Sequence, residues 1–149
     1  MDKIAENTFI TVPVYLDTTF KHKKAIKKNK DTGKYRVALS YNEILIMNRF
    51  AYSKIKKQFA SEISDSLDKL NLWDTNENTQ YIIFYKYFYK NANSDLSNFT
   101  STISKFLLDA LQKKGIIHND NVKCVTKEIF SVGEQDKINP RMEIEIIPI

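Results

Sequence analysis

The chain has 149 residues, of which 42% are apolar and 28% charged, which fits one compact domain with a single core and leaves little for a second. Three glycines and three prolines exclude low-complexity linkers, collagen-like repeats and a Gly-rich nucleotide cradle, and the single cysteine, Cys124, excludes an intrachain disulfide and a thiolate zinc site. The net charge is +5, but Lys21, Lys23, Lys24, Lys27, Lys28, Lys30, Lys34 and Arg36 face only one acid, Asp31, in their segment, leaving 15 basic and 17 acidic residues elsewhere. The basic character is therefore local, and an acidic partner is expected there.

The stretch Thr8 to Val14 is β-branched and alternating, and it predicts a strand in which Pro13 is confined to an edge or a strand end. The basic segment follows as a long loop, with a turn at Asp31-Thr32-Gly33-Lys34. Ser40 with Glu43 three residues later reads as a capping box, and Ile44, Met47, Ala51, Ile55, Phe59, Ile63, Leu67 and Leu70 keep three-or-four spacing. This predicts a helix of about seven turns, unbroken or interrupted near its end. Tyr81 to Lys90, dense in aromatic and branched residues, predicts a central strand whose tyrosines belong to the core. A second helix is expected from about Ser97 to Lys113, its buried stripe Phe99, Ile103, Phe106, Leu107, Ala110 and Leu111, with Gly115 at the helix stop. Strands are expected at Val122 to Ser131 and at Arg141 to Ile147, joined by a turn from Gly133 to Pro140. The order is α+β: a mixed sheet of about four strands covered on one face by two helices. No apolar run reaches the ~18 residues of a membrane span, and the amino terminus lacks the pattern of a signal peptide, so a soluble, cytoplasmic protein is expected.

Three acids stand in chemically suggestive places. Asp95 precedes the second helix and reads either as its capping carboxylate or as a metal ligand. Asp109 lies four residues after Lys105 and suits an exposed ion pair on one helix face. Asp120, between helix and strand, reads as a turn former or as a second ligand. If strand ends bring Asp95 and Asp120 together, they would hold a hard divalent cation that activates water against a phosphodiester. His22 and His118 read as surface residues, His118 with a chance of aiding proton transfer beside Asp120, and Cys124 reads as a small buried residue.

Asp95-Leu96-Ser97-Asn98, Lys105 to Leu111 (Lys-Phe-Leu-Leu-Asp-Ala-Leu), Gly115 to Asp120 (Gly-Ile-Ile-His-Asn-Asp) and the closing strand Arg141 to Ile146 together resemble the RusA-type Holliday junction resolvases. The resemblance covers about 55 residues, from Asp95 onward, beyond which only element order and the basic loop agree. It implies a homodimeric endonuclease, phage or prophage encoded, that cuts branched DNA with magnesium, or manganese in its place, in the bacterial cytoplasm. Carried over, Asp95 and Asp120 would be metal ligands and Lys105 would act on the scissile phosphate. Asn98 would orient a ligand or water, Asp109 would support the site, and the lysines and arginine of the basic loop would hold DNA phosphates.

The sequence departs from that pattern in three places. Ser97 stands where the family has a catalytic carboxylate. Lys105 comes four residues late, which is ~1.1 helical turns and nearly the same face. Asn119 replaces the first member of an Asp pair whose second member is Asp120. Ser97 leaves a rival expectation open: a catalytically impaired scaffold that binds DNA or a host protein. An assembly protein whose basic loop serves only solubility is a third.

Overall fold

The computed structural model describes residues 7–23, 26–72 and 76–149. In chain order the elements are β1 (Phe9–Pro13), β2 (Tyr15–Thr18), β3 (Tyr35–Ala38), α1 (Tyr41–Leu45), α2 (Arg49–Asp68), β4 (Tyr81–Tyr89), α3 (Leu96–Lys113), β5 (Val125–Gln135) and β6 (Arg141–Pro148). The fold is α+β: a mixed four-stranded sheet in the order β1-β6-β4-β5, and a separate β2-β3 hairpin. Strand β4 is central, as its density of branched and aromatic residues predicts. It runs parallel to β5 across the α3 crossover and antiparallel to β6, which in turn pairs with the edge strand β1. Pro13 falls at the end of that edge strand, where its missing N–H leaves no ladder bond unmade.

Strand alternation decides which face is buried. Ile83, Tyr85 and Tyr87 of β4 and Met142, Ile144 and Ile146 of β6 point to one face, where the stripe Ile55, Phe59, Ile63 and Leu67 of α2 and the stripe Phe99, Ile103, Phe106, Leu107 and Leu111 of α3 cover them. Phe106 sits edge-on to both Phe59 and Tyr52, each at 5.7 Å between ring centroids. Each such side chain taken from water contributes about 1.5–3 kcal/mol. Cys124 is buried and makes no disulfide, as its place in the sequence suggests. Among the described residues no helix is long and apolar enough to cross a membrane.

Four local features differ from the sequence expectation. The first helix is broken near its start: Ser40 caps α1 through the Glu43 N–H, but Asn48 then accepts from the Ala51 N–H at 2.9 Å and begins α2 as a new N-cap. The segment between the first strand and this helix is flanked by the hairpin strands β2 and β3, whose short alternations Tyr-Leu-Asp-Thr and Tyr-Arg-Val-Ala carry a weak signal. Strand β5 starts at Val125 because Asn119, Asn121 and their backbones close a turn, and it then runs through Gly133 to Gln135, where a turn is expected from the glycine. His22 is buried, with Nε2 3.4 Å from the Arg36 carbonyl and 4.0 Å from a Glu43 carboxylate oxygen, so it is not the surface residue its neighbourhood of lysines suggests. Gly115 does end α3, in the left-handed region at φ +74° that favours glycine.

Candidate functional site

Asp95 occupies the N-cap position of α3, yet its side chain makes no capping hydrogen bond and is exposed. It lies beyond the carboxyl end of β4, an end marked by the Tyr87 and Ser94 hydroxyls at 2.8 Å. Asp120 lies beyond the far end of α3, in the turn whose Cys124 carbonyl accepts from the N–H of Tyr81 at the opposite end of β4. The 18 residues of α3 separate the two acids by ~27 Å of helix. A magnesium ion takes its oxygens at ~2.1 Å, so Asp95 and Asp120 of one chain cannot share one. The expected metal site is not formed within the chain, because in a βαβ crossover the helix runs back along the sheet, so its start lies at the carboxyl ends of the parallel strands and its end at their amino ends. Nor is there, among the described residues, any other group of three or more acids, histidines or cysteines placed to hold a metal.

The supporting residues are dispersed along the same helix. Ser97 is exposed in the first turn, its carbonyl accepting the Ser101 hydroxyl at 2.9 Å. Asn98 is a structural tie, its Oδ1 accepting the N–H of Asn42 at 3.1 Å and so fastening the start of α1 to the start of α3. Lys105 is exposed further along, with its ammonium 6.0 Å from the centre of the Tyr52 ring. It does not pair with Asp109. That carboxylate is held by Lys113 at 3.1 Å and by Lys56 of α2 at 3.3 Å. An acid four residues before a lysine is the better-placed pair on a helix, which favours Lys113 over Lys105. Burial raises the Asp109 pKa, but the hydrogen bonds and charges of Lys113 and Lys56 outweigh it and hold the carboxyl below its ordinary value. Asn119 uses Oδ1 to accept the Asn121 N–H at 3.1 Å, and His118 is exposed.

The basic loop between β2 and β3 is a different matter. Lys24 lies outside the described residues. Lys23 is neutralised by Glu43 at 2.8 Å, and Arg36 faces Asp17 at 3.9 Å. Lys21, Lys27, Lys28, Lys30 and Lys34 are exposed and make no ion pair among the described residues. The tip is a formed turn rather than a loose strand of charge. Asn29 Oδ1 accepts the N–H groups of Asp31 and Thr32 at 2.9 and 3.2 Å, and Gly33, at φ +68°, donates its N–H to the Asn29 carbonyl at 2.8 Å. At the root of the hairpin, the Tyr15 ring has the Arg36 guanidinium at 4.9 Å and the Lys90 ammonium at 5.6 Å. Tyr15 and Lys90 were not legible as neighbours of the loop, since 75 residues separate them and only the sheet brings them together.

Two further clusters lie outside the sequence reading. The Tyr85 hydroxyl and the Ser104 hydroxyl both donate to Glu128 Oε2. Tyr41, Leu45, Ile46 and Phe50 are exposed together around the break between α1 and α2. The second cluster had a signal: Leu45 and Ile46 fall off the three-or-four spacing that marks the buried stripe. Compared with known proteins, the chain matches no family model and no curated protein.

Proposed function

We propose that the chain is a nucleic-acid-binding module on a RusA-like scaffold, holding branched DNA by its phosphates through the loop between β2 and β3. The observation that carries this reading is the set of exposed lysines, Lys21, Lys27, Lys28, Lys30 and Lys34, concentrated on one ordered hairpin with Asp31 as the single acid of the segment and with none of the five in an ion pair among the described residues. Lysines of this kind bind the backbone without reading bases, and they gain by releasing condensed counterions. The reading extends to a homodimer, in which two such loops serve one four-way junction, and to a bacterial cytoplasm in a phage or prophage setting.

The endonuclease reading has weaker support, because the two acids the resemblance assigns to magnesium or manganese stand at opposite ends of α3. It requires Asp95 of one copy to meet Asp120 of another. Binding to a labelled four-way junction, a flap and a linear duplex, measured from about 50 to 200 mM salt, tests the proposal: log K should fall with log salt at a slope of about −4 to −5, from ~0.9 per neutralised phosphate. Undetectable or salt-independent binding removes it. Nicking of the junction in magnesium or manganese that Asp120→Asn abolishes would restore the enzyme.

A further inference from the structure

The break between α1 and α2 leaves an unusual surface. Helix α1 has no fully buried residue. What fastens it is largely polar: the Ser40 cap, the Asn42 N–H on Asn98, and Lys23 on Glu43. A five-residue helix is far too short to persist on its own propensity. Yet it, the turn after it and the first turn of α2 expose Tyr41 at 53%, Leu45 at 64%, Ile46 at 65% and Phe50 at 79%. Scattered exposed apolar residues need no explanation, whereas a contiguous set marks an interaction surface. Here Tyr41 and Leu45 of the set line a groove of about 410 Å³ between α1, α2 and α3, together with Ile44, Tyr52, Lys105 and Phe106.

The charges around the groove select its occupant. The nearby acids are already satisfied, Glu43 by Lys23 and Asp109 by Lys56 and Lys113. Lys105, in the groove wall, and Arg49, at the start of α2, make no ion pair among the described residues. An arriving carboxylate therefore meets free cations, while an arriving base meets the same charge. We infer that this groove receives an acidic amphipathic helix of a partner protein, with its apolar residues against Tyr41, Ile44 and Leu45 of the lining and its carboxylates toward Lys105 in the groove wall and, beyond it, Arg49 at the start of α2. Such a helix reads as apolar anchors at positions i, i+3 or i+4 and i+7, flanked by Asp or Glu. The concave shape and the aliphatic Ile44, Leu45 and Ile46 favour a helix over stacked nucleobases, which need flat aromatic platforms. The inference does not rest on the proposed DNA binding, since none of the loop lysines lines this groove.

Selection of a random peptide library of about 16 residues on the immobilised full chain tests it. The expected winners carry helically spaced apolar anchors and a net negative charge. Their affinity should drop about tenfold or more on L45S/I46S, as for anchors of a small interface, and similarly on Lys105→Glu, with the circular dichroism of the variants unchanged. Junction binding should be unaffected by L45S/I46S, which separates this result from the fate of the DNA reading. The inference is overturned by failure to enrich any peptide, by a basic or uncharged consensus, by binding that the groove variants leave unmoved, or by displacement of the peptide with oligo-dT, which would make the patch a base-stacking surface.

Discussion

The Tyr85 hydroxyl lies 2.5 Å from Glu128 Oε2, and the same oxygen accepts the Ser104 hydroxyl at 2.6 Å, so one carboxylate joins β4, β5 and α3. Burial first, then the charge of Glu128 and its hydrogen bond, holds the Tyr85 pKa well above the ordinary tyrosine value. The parallel edge strand β5 is tied to α3 here by the Ser104 contact, and to β4 by the Tyr85 contact and by the stacking of Phe130 on Tyr85 at 4.6 Å.

Tyr85→Phe should destabilise the protein by about 1–3 kcal/mol, because the half-buried Glu128 carboxylate loses one of its two hydroxyl donors and keeps only Ser104. The raised folded pKa means that the contribution of this hydroxyl is complete below the unfolded value of ~10 and is lost as pH rises through the folded value. Urea unfolding between pH 8 and about 11 should therefore show a steeper alkaline loss in the wild type than in Tyr85→Phe. Parallel curves would mean that the contact carries no differential proton binding.

Asp109 has the opposite sign. Its carboxyl is held below the ordinary value, so its stabilisation is present above the unfolded pKa of ~3.9 and disappears as pH falls through the folded value. Asp109→Asn should lower stability at pH 7 and flatten the acid limb of the denaturation curve below about pH 4, with the two proteins converging in acid. Equal sensitivity to acid in both would count against the Lys56 and Lys113 pairs.

Replacing Gly115 by alanine should cost about 1–2 kcal/mol, because the position is left-handed although no neighbouring atom obstructs a Cβ. Thermal unfolding reads this directly. Gly133→Ala should act by a different route, since its Cβ would lie 2.9 Å from Phe88 Cε1 and the ring must shift.

The lysine loop makes a quantitative prediction. Changing Lys27, Lys28, Lys30 and Lys34 together to alanine should flatten the log K against log salt slope for junction binding by about 3 to 4, with little effect on thermal stability, because these side chains are exposed and make no ion pair among the described residues. A slope that does not change would move the phosphate contacts elsewhere.

Ser97→Asp adds a carboxylate beside Asp95 and leaves Asp120 at the far end of α3. The substitution should therefore produce no magnesium-dependent nicking of a junction, and magnesium should not raise the unfolding temperature of the variant. Gain of cleavage on this single change would show that acids of two copies complete the site.

Periodicity and composition were enough to determine α3, the helical stretch of α2 though not the break before it, the central place of β4, the edge or strand-end place of Pro13, the buried stripes and the local concentration of positive charge. These are properties of short stretches, fixed by side-chain spacing, by Pro13 and by Gly115. The tertiary structure alone decided what lies beside what. It separated Asp95 from Asp120, since a parallel crossover carries the chain from one end of the sheet to the other through a helix whose length is the distance between them. It buried His22 and set Tyr15 between Arg36 and Lys90, and it turned the off-stripe residues Leu45 and Ile46 into an exposed surface. A local motif resembles a site wherever its residues follow in the right order. Coordination and binding depend instead on distances through space, which the strand order β1-β6-β4-β5 sets and the spacing of residues along the chain does not.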